Sequence, residues 1–350
     1  AGAVSYLIDG AEVWTQPAAR VFGTGVGPYA SRTADLRLDR LRAWHTARIR
    51  LAPEVPLTLE RTALGAGINE PQVRETNPRV SPDGRQLYFA RDVAGQELDI
   101  FVAQRQPDGR YAEVQSIGHP LNNEGNNAVE SITPDGNTAL LMNLYAPDGH
   151  ARPERGASLA RRRPDGQWGM PEPLRFRALP PTAQRADYFL AASGTTLLLA
   201  LDAPTHPQKC DLFVSHLTPR GDWTEPKPLG ATLNTPGDDY APFLAPDGKT
   251  LYFASSGHPG FGGDDIFVTT RLDDSWTRWS EPLNLGPGLN TLQDDAYFSI
   301  SAAGDYAFLV GINEQGKEDL FRVTLPPALR PKATVLLRGR AVDARSGQPL

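Results

Sequence analysis

The chain has 350 residues, with 41 acidic against 35 basic side chains and a net charge of −6, so no overall positive field draws it to nucleic acid or anionic lipid. Its single cysteine, Cys210, excludes an internal disulfide, and no apolar run approaches the ~20 residues of a membrane helix. The 33 glycines and 32 prolines are separated by short apolar runs, which points to many tight turns in an all-β chain rather than to disorder.

In chain order, the first element is Val4 to Trp14, which reads as a strand pair around a turn at Asp9-Gly10. Leu36 to Trp44 partly alternates and is read as strand. No charged leader followed by an apolar core opens the chain. Residues 1–54 are expected to be the tail of a preceding β domain plus a linker, the chain itself being a piece of something longer.

From there a turn recurs: Ser81-Pro82-Asp83-Gly84, Thr133-Pro134-Asp135-Gly136, Ala191-Ala192-Ser193-Gly194, Ala245-Pro246-Asp247-Gly248 and Ser301-Ala302-Ala303-Gly304. The glycines are 52, 58, 54 and 56 residues apart. Pro presets φ, Asp bonds back to the backbone and Gly accepts a positive φ, so each is a turn for stated reasons. After each comes an apolar strand, such as Leu87-Tyr88-Phe89-Ala90 or Leu251-Tyr252-Phe253-Ala254. A third strand opens with Asp-Ile/Leu-Phe at Asp99, Asp211, Asp265 and Asp319, and an aromatic (Tyr111, Trp168, Trp223, Trp279) starts a fourth.

Four-stranded repeats at this period cannot bury their faces alone and stack into a ring, a β-propeller over residues 55–331. The count gives five blades, or six if residues 30–55 hold an eroded copy. The last repeat lacks its own fourth strand, while Leu64-Gly65-Ala66-Gly67-Ile68-Asn69 matches Leu285-Gly286-Pro287-Gly288-Leu289-Asn290. Residues near 56–64 are therefore expected to complete the last sheet and close the ring. Beyond Pro326-Pro327, residues 332–350 read as one strand and a turn at Ser346-Gly347.

The Ser-Pro-Asp-Gly-x-x-Leu-Tyr-Phe and Asp-Ile-Phe elements resemble the WD40-like, TolB-type propeller repeats known as PD40. Arg340-Ala341-Val342-Asp343 and Gly347-Gln348-Pro349-Leu350 resemble the first strand of a carboxypeptidase regulatory-like domain. That order resembles OmpA-family envelope proteins of Bacteroidetes, including a component of type IX secretion. The resemblance implies a periplasmic, outer-membrane-associated scaffold with an envelope protein partner, and peptidoglycan attachment only through a domain absent from these residues.

Most acidic residues have a structural reading. Asp99, Asp211, Asp265 and Asp319 share one blade position, and catalysis needs asymmetry rather than copies. Nine residues before each turn glycine stand Glu75, Asn127, Arg185, Asp239 and Asp295. They precede the channel-lining strand, so they are expected at the channel mouth. There Glu75, Asp239 and Asp295 would form an acidic side able to hold a cation such as calcium or a partner's basic side chain. The glycine-rich loop Gly257–Gly263 lacks the ending of a phosphate cradle. No Gly-x-Ser-x-Gly elbow and no paired-histidine metal motif is present in the sequence. The expectation is a non-enzymatic binding module without a cofactor. The alternative is a propeller glycosidase or carbohydrate-binding protein with channel carboxylates, which two or three acids converging from different blades would reveal.

Overall fold

A computed structural model describes residues 3–8, 11–17 and 49–332, apart from 54, 57–58, 94–96, 179–185 and 203–207, and a few positions beyond 342. Arg185 and nearly all of 332–350 lie outside the described residues, as do residues 18–48. The short N-terminal strands β1 (Ala3–Ile8) and β2 (Ala11–Pro17) pair with each other as an antiparallel hairpin.

The rest is a β-propeller of five four-stranded antiparallel blades. Blade A comprises β4 (Glu75–Val80), β5 (Gln86–Val93), β6 (Glu97–Arg105) and β7 (Tyr111–Ser116). Blade B comprises β8 (Val129–Ile132), β9 (Thr138–Met142), β10 (Ala157–Arg161) and β11 (Glu172–Pro173). Blade C comprises β12 (Ala186–Leu190), β13 (Thr196–Asp202), β14 (Cys210–His216) and β15 (Lys227–Pro228). Blade D comprises β16 (Asp239–Leu244), β17 (Thr250–Ser255), β18 (Asp265–Thr270) and β19 (Leu283–Asn284). Blade E takes β20 (Asp295–Ile300), β21 (Tyr306–Ile312) and β22 (Glu318–Thr324) from the C-terminal side and β3 (Arg61–Ala63) from the N-terminal side.

The closure thus falls where the missing fourth strand placed it, with Arg61, Thr62 and Ala63 facing Val323, Arg322 and Phe321. Its chemistry is that of the other blades. Asn290 donates to Ile266 O at 3.0 Å and accepts from Ile266 N–H at 2.8 Å. Asn69, its counterpart across the seam, does the same with Leu320, at 3.0 Å each way. Asn122 and Asn234 pair likewise with Ile100 and Leu212, so in blades A, C, D and E one amide side chain continues the ladder past the third strand, and the ring is sealed by the same device as its interior.

All five turn glycines have φ between 67° and 73°, the left-handed region that a side chain makes costly. The outer strands are shorter than the repeat suggests. Trp168, Trp223 and Trp279 each make a single bridge to the end of the third strand, and the ladder resumes only after the next proline. Proline has no N–H to donate, so pairing breaks there. The same tryptophans are buried between blades. Trp168 packs with Tyr88 and Ile100 of blade A, and Trp223 with Leu140 and Ala157 of blade B. Trp279 packs with Leu198 and Leu212 of blade C. No helix among the described residues is long and apolar enough to cross a membrane.

Candidate functional site in the central channel

The innermost strands β4, β8, β12, β16 and β20 run from one mouth of the channel to the other. The mouth beside the blade turns is an apolar cup of about 530 Å³ lined by Ile132, Phe189, Leu190, Phe243 and Ile300, among others. The opposite mouth is a polar cavity of about 490 Å³, which draws on every blade and on the loop between β9 and β10.

The aligned residues Glu75, Asn127, Asp239 and Asp295 do not form an open rim; all four are fully buried. Asp239 accepts from Thr235 N–H and Oγ1 at 2.6 and 2.9 Å and from Ser255 Oγ at 2.6 Å. Asp295 repeats the pattern with Thr291 and is ion-paired to Arg61. Glu75 pairs with Arg91 at 3.0 Å, and Asn127 accepts from Tyr145 OH at 2.7 Å. Each of the three acids also feels an aspartate of the preceding blade's third strand: Asp239 feels Asp211, Glu75 feels Asp319, and Asp295 and Asp265 feel each other. The acids are thus distributed one to a seam, where they brace loops. Burial first, rather than crowding among the three, pushes Glu75 and Asp239 up to about 7 and raises Asp295 as well. The acidic side of the mouth expected from the sequence is corrected accordingly. Among the described residues, no three or more His, Cys, Asp or Glu side chains come together as a metal ion requires.

The functional groups of the channel are instead those that break the repeat. Two residues further along each inner strand stand Asn77, Val129, Asp187, Ala241 and Tyr297. Four of these inner strands carry a bulge there, and in three of them Asn77, Ala241 and Tyr297 take φ of 51°, 49° and 53°. The bulge re-aims the chain and brings positions 77 and 297 onto the cavity wall. Asp187 accepts from Ala241 N–H at 3.1 Å and from Tyr297 OH at 3.4 Å. Arg74 and Glu318 form a 3.0 Å ion pair at the rim. Tyr240 and Tyr297 stand edge to face with ring centroids 5.9 Å apart.

Behind this wall lies Glu130, only 1% exposed, its carboxyl held by the Tyr188 backbone N–H. Burial and then repulsion by Asp187 raise its pKa well above the carboxylate range, against the pull of Arg79. Arg79 is itself buried, and it donates to Glu130 O at 2.6 Å and to Pro78 O at 3.0 Å. Burial thus disfavours the charged form of Glu130, while the Asp187 carboxyl accepts from two donors. Sequence reasoning passed over both residues because it scored agreement between repeats. The available signal was the disagreement: an acid at 187 where other copies carry Asn, Val, Ala or Tyr.

No protein-family model matches the sequence, and no curated protein matches it. Among solved structures, a glycoside hydrolase is similar over 82% of this chain and 96% of that chain, at 10% identity and a TM-score of 0.53. An α-L-arabinofuranosidase from Lactobacillus brevis is similar over 81% of this chain and 95% of its own, at 13% identity and a TM-score of 0.42. TolB from Acinetobacter baumannii is similar over 73% of this chain, at 12% identity and a TM-score of 0.42, and the match spans 56% of TolB's length. At 10% identity, what the glycoside hydrolase shares with this chain is the propeller fold alone.

Proposed function

We propose that the chain is a non-enzymatic binding module that takes its ligand at the polar mouth of the channel. In the envelope setting implied by the sequence resemblance, it presents that mouth and the surrounding loops to a protein partner. One observation carries this reading. The inner acids that line the cavity already have partners, Asp187 with Tyr297 and the Ala241 amide and Glu318 with Arg74. Glu130, whose pKa burial raises, is sealed behind them. A proton donor must reach the leaving oxygen, and Glu130 is closed off from the cavity. The test is capture of a partner from an envelope fraction by wild type and by Arg74→Glu. Loss of capture in the variant supports the reading, and equal capture by both removes it.

A second reading is favoured by Glu130 and Asp187 themselves. They are two carboxyls from adjacent blades, Glu130 raised by burial and by Asp187 beside it, and glycoside hydrolysis uses a pair of carboxyls. Release of nitrophenol from aryl arabinofuranosides or xylosides, abolished in Glu130→Gln, would establish a glycosidase.

A further inference from the structure

Buried polar atoms are almost always hydrogen-bonded, so a cluster without partners asks for something to satisfy it. Such atoms gather at the channel centre: Thr76 Oγ1, both polar atoms of the Asn77 amide and Tyr188 OH. They come from the inner strands of blades A and C. Thr76 and Asn77 line the polar cavity although they are only 2% and 1% exposed. Tyr188 and Glu130 stand deeper, in the electrostatic field of Asp187.

We infer that this cavity binds a neutral polyhydroxylated ligand, a saccharide. The inference rests on the polar mouth being a binding site. The unpartnered groups on the cavity wall are the Thr76 hydroxyl and the Asn77 carboxamide, each able to donate as well as accept. A cationic ligand meets Arg74, Arg152 and Arg155 at the cavity wall, and an anionic one meets Glu154, Asp187 and Glu318. A neutral ligand crosses this mixed ring without an unpaired charge. A peptide offers one donor and one acceptor per residue together with a side chain. A pyranose offers a hydroxyl on nearly every carbon, which fits a wall dense in polar atoms. The rings of Tyr240 and Tyr297 give its apolar face a surface to rest on. A volume of about 490 Å³ falls in the range of small-ligand sites, about 300–1,000 Å³.

The experiment is saturation-transfer NMR on the whole chain with a panel of neutral methyl pentosides, methyl hexosides and N-acetylhexosaminides. Butylammonium, butyrate and trialanine are the controls. The variant Thr76→Val deletes an unpartnered hydroxyl of the cavity wall at nearly constant shape, and Tyr188→Phe deletes one that lies behind it. At least one glycoside is expected to bind wild type, Thr76→Val to weaken it about tenfold, the scale of one lost hydrogen bond, and Tyr188→Phe to leave it unchanged. The unliganded melting temperature of each variant should stay level or rise, because a buried group without a partner is removed. A fall in melting temperature would mean that the hydroxyls serve the fold and would overturn the inference. So would a panel in which no glycoside binds, or one in which a control binds and the sugars do not. The two readings fail separately. Loss of glycoside binding alone leaves the Arg74-dependent capture of a partner standing, whereas glycoside binding with Arg74-independent capture removes the protein-docking role and keeps the sugar site.

Discussion

Substitution of Asn69 tests the sealing of the ring. Its side-chain amide both accepts from Leu320 N–H and donates to Leu320 O, at 3.0 Å each way. Asn69→Ala removes both bonds and leaves a strand N–H and a carbonyl with poor access to water. A buried group left unsatisfied costs about 1–3 kcal/mol, so the pair should cost roughly 2–4 kcal/mol in a partly buried position. For a domain of this size that is a fall of about 5–10 °C in melting temperature. Asn69→Asp keeps the acceptor and loses the donor, so it should fall between. The control is Asn290→Ala, which removes the equivalent pair with Ile266 inside the ring. If the closure is built like the interior, the two alanine variants lose comparable stability in urea unfolding. An Asn69→Ala protein as stable as wild type, with Asn290→Ala destabilised, would refute the equivalence and leave the N-terminal strand as a loosely held edge.

Three further outcomes follow from the same structure. Trp223→Ala should lose about 3–5 kcal/mol, the usual cost of truncating a buried aromatic; unchanged urea midpoints would deny its place between blades B and C. Burial holds Glu75 and Asp239 up to about 7 and Asp265 up to about 6. An acid raised in the fold contributes stability fully present below its unfolded pKa and lost as pH rises through the folded value. Unfolding free energy should therefore decline from about pH 4 to about pH 7, less steeply in Asp239→Asn, and a rise over that interval would contradict the assignment. Burial disfavours charge on Glu130, so its neutral isostere in Glu130→Gln should change stability at neutral pH by less than about 1 kcal/mol. A large loss would show that Glu130 is ionised and paired.

The architecture was legible because the repeat is written in backbone-determining residues. A turn glycine fixes φ, an Asp-Ile-Phe run fixes a strand, and the Leu-Gly…Leu-Asn motif fixes the edge that Asn69 and Asn290 cap. These forces are local, so each copy states them again. The channel was not legible in the same way. Glu75, Asp239 and Asp295 were aligned correctly, but their exposure depends on the loops that fold back over them, with Thr235 and Thr291 supplying donors. Asp187 and Glu130 acquire their properties only when different blades meet, through Tyr297 and the Ala241 amide on one side and Arg79 on the other. No single copy of the repeat holds that information.

The most direct test is one NMR time course of the whole chain with a neutral glycoside in large excess, followed at neutral pH. It reports both line broadening by binding and the appearance of free sugar. Saturable broadening that persists without product, and needs about tenfold more glycoside in Thr76→Val, is the predicted result. Free sugar accumulating beyond one equivalent of protein would contradict a non-enzymatic module and make Glu130 and Asp187 a working pair.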